Sequence, residues 1–196
     1  MGMRSFAGII TLTGSAQPLF GVALTAAATP PPDQFSGNLN PGSNETQVTL
    51  VVTSTDGFRA GDVVAVGPTA TFKPGITTSI PDRGMVKSIT DATHMVVQGL
   101  QHSHAASGEW VVLNNVAGNV HCRPVVTTAA VYIGNASTVA AGDPSVIDVL
   151  PIVASGAGPA YVFDAESIGI SQPFNLAEFW MVGTAADTVL PRWTEV

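Results

Sequence analysis

Cysteine is nearly missing from this chain, and so is positive charge. A single cysteine, Cys122, stands in 196 residues, which excludes an intramolecular disulfide framework and any zinc motif built from several cysteines. Lys and Arg together number 7, with Lys73 and Lys87 the only lysines, and no two basic residues are adjacent. Nucleic-acid backbones are held by clustered Lys and Arg, so nucleic-acid binding is excluded as the main activity. Charged residues of both signs make up 11%, far below the ordinary ~25%, and 14 Asp and Glu leave a formal net charge of −7. A chain that is 45% hydrophobic is not the charged, weakly hydrophobic kind that stays unfolded. No apolar run is long enough to make a membrane-spanning helix, and no membrane partner is expected.

Helix formers are scarce as well. Glu and Lys are few, while Val and Thr are abundant and 20 Gly and 14 Pro punctuate the chain. Val and Thr suit a half-buried pleat, and frequent Gly and Pro exclude long helices. The expected class is all-β, with length for one large domain or two small ones.

Strand signals are expected over residues 6–13 and 17–24. Residues 1–28 carry a faint outline of a secretory signal, but Ile10, Leu12 and Gly14 alternate with Thr11, Thr13 and Ser15. That alternation reads as a strand. Residues 29–47, with three consecutive prolines and Asn40-Pro41-Gly42-Ser43, read as a stiff linker ending in turn chemistry. Strands then recur over 48–53, 63–66, 84–89, 94–98 and 109–113, with 69–82 as a long loop. Five short strands at this spacing predict a small closed or half-closed barrel over 48–113. A polar joint is expected at 114–124. Further strands over 125–133, 145–150, 160–164, 168–170, 178–182 and 188–193 predict a β-sandwich.

Chemistry-bearing residues are scattered. His102 and His104 would share a face of a strand, whereas His121 and Cys122 would diverge. A zinc site from His102, His104 and either His121 or Cys122 is conceivable, but no pair has an established metal spacing. The loop reads as solvated and Cys122 as a small buried apolar residue. Asp62, Asp82, Asp91, Asp143, Asp148, Asp164, Glu166 and Glu178 stand singly, and those in turns are explained by turn hydrogen bonding. There is no Gly-x-Ser-x-Gly elbow. Gly156-Ala157-Gly158-Pro159 lacks the helix start that a phosphate loop needs. Asn44-Glu45-Thr46 and Asn135-Ala136-Ser137 are formal glycosylation acceptors only. No catalytic residue, metal or cofactor is assigned. Trp110 and Trp180 are expected in the core. Trp193, beside Arg192, is expected as an exposed anchor for a partner, since both residue types are enriched at interface hot spots.

Residues 129–150, AAVYIGNASTVAAGDPSVIDVL, resemble a segment of small structural proteins of tailed-bacteriophage virions, of the capsid decoration or cement type. The shared outline is a strand ending in Val131-Tyr132-Ile133-Gly134, a polar turn, Val139, a turn with Gly142, and a second apolar strand over 146–150. Ile10-Thr11-Leu12-Thr13-Gly14-Ser15-Ala16-Gln17-Pro18-Leu19 resembles the Thr/Ser-rich opening strand of such proteins. The resemblance implies a discontinuous sandwich of residues 1–28 plus 120–196, with 48–113 inserted as the small barrel. It implies a non-enzymatic virion protein on the capsid surface that bridges the major capsid protein and copies of itself, as a homotrimer. Residues 1–28, as a strand or arm, and the linker are the expected tether. Phe6, Ile10, Leu12, Leu19 and Phe20 are the candidate contact residues there, with Arg192 and Trp193 at the other end. The alternative is a receptor- or carbohydrate-binding module of a tail fibre or baseplate, which needs an aromatic platform near acidic or amide groups. A hydrolase on a β scaffold, needing two close carboxylates in a cleft, has least support.

Overall fold

A computed structural model of the chain describes residues 3–5, 9–30, 47–72, 81–135, 137–144, 146–154, 161–164 and 174–195. Among them there is no α-helix, and the protein is all-β. The strands are β1 (Met3–Ser5), β2 (Ile10–Thr11), β3 (Gln17–Pro18), β4 (Gly21–Ala23), β5 (Gln47–Val51), β6 (Val63–Pro68), β7 (Asp82–Ile89) and β8 (His94–Gln98). They continue with β9 (Glu109–Leu113), β10 (Val116–Val126), β11 (Val131–Gly134), β12 (Val146–Leu150), β13 (Tyr161–Asp164), β14 (Phe174–Asn175), β15 (Trp180–Val182) and β16 (Thr188–Glu195). Single 3-10 turns follow β6 (Thr69–Phe72) and β14 (Leu176–Glu178).

Three antiparallel sheets form. The first runs β1-β16-β10-β13, with β14 also on β10 and β2 also on β16. The second runs β12-β11-β15-β3, and the third β4-β9-β6-β7-β8-β5. The third sheet curls into a half-barrel. Its outer strands meet at one end, where Leu24 bridges Val52 and the N–H groups of Thr25 and Thr53 donate to Val51 and Ala23. Within it the signals of strand and turn coincide. Leu50, Met95, Val97, Val64 and Val66 alternate inward, and the β7–β8 turn closes through Asp91, whose Oδ1 accepts from Thr93 N–H at 2.8 Å and His94 N–H at 2.9 Å.

The strand expected over 17–24 is divided between two sheets. Gln17–Pro18 pairs with β15, and Gly21–Ala23 pairs with β9. Leu19 and Phe20 make the step, with Leu19 N–H donating to Phe179 O and Leu113 N–H to Phe20 O. The reversal is tight enough that a Cβ on Gly21 would lie 2.6 Å from Pro18 Cγ and 3.0 Å from Val112 Cγ2, so only glycine fits.

The joint expected at 114–124 is in fact mostly strand. β10 is the longest strand described, at 11 residues, and buries Ala117, Val120, Cys122 and Pro124. Gly118 and Pro124 argued against a strand here. The chain absorbs them with register shifts at 117/119 and 124/126 against β16, and Pro124 lies past Cys122, the last residue paired with β13. Bulges accommodate residues that a regular ladder would reject. The strand expected over 125–133 breaks at Thr127–Ala130, which is pinned instead by the buried Asp187. Thr128 donates to Asp187 Oδ1 from both its N–H and its hydroxyl, each at 2.8 Å. The strand expected at 168–170 lies outside the described residues.

Aromatic rings mark where the sheets converge. Phe20 stands edge-on to Phe179 (6.3 Å, 86°) and to Trp193 (5.4 Å, 79°), joining residues from both ends of the chain in one core.

Candidate functional site

The structure relocates most of the expected contact residues. Leu12, Leu19, Phe20 and Trp193 are buried in the core of their own chain, so they are not surface anchors. For Trp193 the reason is topological. β16 is flanked by β1 and β10, and side chains alternate across a strand, which sends Arg192 outward and Trp193 inward. Ile10 is half-buried in β2 opposite Val189. Arg192 is exposed, and Phe6 lies outside the described residues. The arm expected over residues 1–28 is, across 10–24, woven into this chain through β2, β3 and β4.

The titratable groups serve as fasteners. His104 is buried, donates from Nδ1 to Glu109 Oε2 at 2.8 Å, and places Nε2 3.4 Å from Asp82 Oδ2. Asp82 Oδ2 also accepts from the N–H groups of Gln101 (2.6 Å) and His102 (2.9 Å), and Glu109 Oε1 from Ala105 N–H (2.9 Å). The backbone of His104 exchanges two hydrogen bonds with Ala28. Together these tie the 99–108 loop to β7, β9 and Ala28. Buried Asp62 likewise accepts from Arg59 N–H (2.7 Å) and from Asn115 Nδ2 (2.9 Å). His121 and Cys122 lie on β10, away from this loop's sheet. Burial pushes the Cys122 thiol far above its usual range, and the charge of Asp148 adds to that; a thiol so held is not a nucleophile near neutral pH. Burial, then the positive charge of Arg192, lowers the His121 pKa. Among the described residues no group of three or more His, Cys, Asp or Glu is arranged to hold a metal ion.

A polar crevice of about 340 Å³ opens where the three sheets meet. Thr71 and Phe72 of the turn after β6, Arg83 of β7, Asn114 after β9, Asn135 after β11, and Asn175 and Glu178 around the second turn line it. The first turn is held by Trp110, whose indole N–H donates to Thr69 Oγ1 (3.1 Å), and by the Thr71 hydroxyl, which donates to Pro68 O (2.7 Å). Phe72 packs on the buried Trp180 at 5.4 Å, tilted by 50°. Asn175 Oδ1 caps the second turn at Ala177 N–H (3.0 Å), and its Nδ2 donates to Asn114 Oδ1 (2.9 Å). Sequence reading missed this site. Asn114 and Asn135 look like ordinary turn residues, and nothing local says that positions 114, 135 and 175 converge. The half-exposed Phe72 beside three amides is a signal visible only in three dimensions.

Comparison with protein-family models, with curated proteins and with solved structures finds no match to this chain.

Proposed function

We propose that this chain is a non-enzymatic structural protein of a tailed-bacteriophage virion, a decoration or cement protein on the capsid surface. It bridges major-capsid-protein subunits and associates with copies of itself as a homotrimer. The observation that carries this reading is the aliphatic edge of the second sheet. Among the described residues β12 is an outer strand of that sheet; its Val149 is 42% exposed, Ile152 just past its end 62%, and Val126, at the end of β10 in the first sheet, 40%. The bridge between Thr127 and Val153 sets Val126 and Ile152 on flanking residues of adjacent chain segments. An outer strand with exposed aliphatic side chains is a template for association, and closed symmetry repeats each such contact. The same edge belongs to the hairpin of β11 and β12, the segment whose sequence resembles virion proteins. The low overall charge is in keeping with apolar contacts between neighbours.

Sedimentation velocity on the purified protein tests the self-association, with a species of three chains expected. Val149→Asp puts a charge on the edge and is expected to yield monomers that keep the wild-type circular-dichroism spectrum but melt at a lower temperature, since association stabilises the folded state. Quantitative mass spectrometry of particles carrying the chain is expected to find many equivalent copies. A monomer at every concentration, together with only a few copies per particle, overturns the reading.

A further inference from the structure

We propose that the crevice at the meeting of the three sheets is a binding site for a neutral saccharide. The first argument is unspent hydrogen-bonding capacity. Arg83, Glu178 and Asn135 line the crevice, and among the described residues their side chains make no hydrogen bond or ion pair with protein groups. Asn114 spends its Oδ1 on Asn175, which fixes its orientation and leaves its Nδ2 to a ligand. These groups offer donors and acceptors side by side, which is what a hydroxyl, itself both donor and acceptor, requires.

The second argument is charge. One guanidinium and one carboxylate face the same space, so a charged ligand gains from one and is opposed by the other, while a neutral one bonds to both. The third is shape. Phe72 is half-buried and braced on Trp180, so it offers a fixed apolar face for the C–H side of a sugar ring, and the cavity falls within the ~300–1,000 Å³ of small-molecule sites. The Asn114 and Asn175 amides are held before any ligand arrives, which limits the ordering cost of binding. The crevice shares no residue with the β12 edge, so this site stands or falls independently of capsid binding.

The test is an NMR titration of the full chain with glucose, galactose, N-acetylglucosamine and rhamnose, with galacturonate as the charged counterpart of galactose. At least one neutral sugar is expected to give saturable shifts at the side-chain amides of Asn114 and Asn135 and at the Phe72 ring. Asn135→Ala removes an exposed, unpartnered amide and is expected to weaken binding about tenfold, the worth of one well-made hydrogen bond. Phe72→Ala is expected to weaken it similarly, and unchanged spectra elsewhere report that each variant is folded. No saturable shift with any of the four sugars overturns the proposal. So do shifts centred outside the crevice, galacturonate binding more tightly than galactose, or Asn135→Ala binding like the wild type.

Discussion

In the third sheet, β6, β7 and β8 follow one another in the chain and pair in that order. In the first sheet the longest pairing joins β10 to β16, and β1 reaches from Met3 to Thr194. Among the described strands the half-barrel thus combines two pairings between neighbours in sequence, β6–β7 and β7–β8, with three between more distant strands, whereas the first sheet is built from distant pairings alone and the second has only β11–β12 as neighbours. Hairpin signals are local, so they suffice for the first kind of pairing. The second kind depends on which distant faces become buried together, and closing such long loops costs entropy before any contact repays it.

The largest test of this contrast is to remove the ring that both regions share. Phe20→Ala is expected to cost about 3–5 kcal/mol, read as a lower urea midpoint, and to loosen the two regions together. Asp187→Ala strikes the long-range region alone. It strips Thr128 of two charge-assisted bonds and is expected to cost about 3 kcal/mol. Hydrogen exchange should accelerate in β10, β11 and β16 while β5–β8 keep their protection. Gly84→Ala is the local counterpart. Its Cβ would stand 2.5 Å from Val97 Cγ1 and 2.8 Å from the Gln98 carbonyl oxygen, and such overpacking costs about 2 kcal/mol. Faster exchange confined to β7 and β8 is the expected outcome; equal acceleration in all sheets would erase the contrast.

The smallest effect is a pH dependence at the β7–β8 turn. Hydrogen bonds from the Thr93 backbone, then from the His94 side chain, lower Asp91 from the ordinary 3.8 to about 2. A carboxylate whose pKa is depressed by folding stabilises the folded state above its unfolded pKa, and the contribution is lost as pH falls through the folded one. The turn is therefore expected to loosen between about pH 4 and pH 2, followed by the carboxyl carbon shift of Asp91. Asp91→Asn should abolish that response.

Much of the half-barrel was legible in sequence. Strands over 94–98 and 109–113 match β8 and β9 residue for residue, because alternating Val and Met and the turns between them act over a few residues. β10 was misread because Gly118 and Pro124 carry a local penalty that only bulges opposite β16 relieve. Trp193 was misread as exposed because its position near the end of the chain says nothing about which strands flank it. The crevice was not legible at all, since its amides lie far apart along the chain.

Sequence alone determined that this protein is made of strands, where most of them fall and that its surface is poor in charge. Backbone propensity, side-chain alternation and composition are properties of short segments or of no segment in particular. The tertiary structure decided that residues 10–24 step through all three sheets, that Trp193 faces inward and that Asn114, Asn135 and Asn175 share one crevice. A strand's pattern specifies that it has two faces, but only the layer packed against it determines which face is buried.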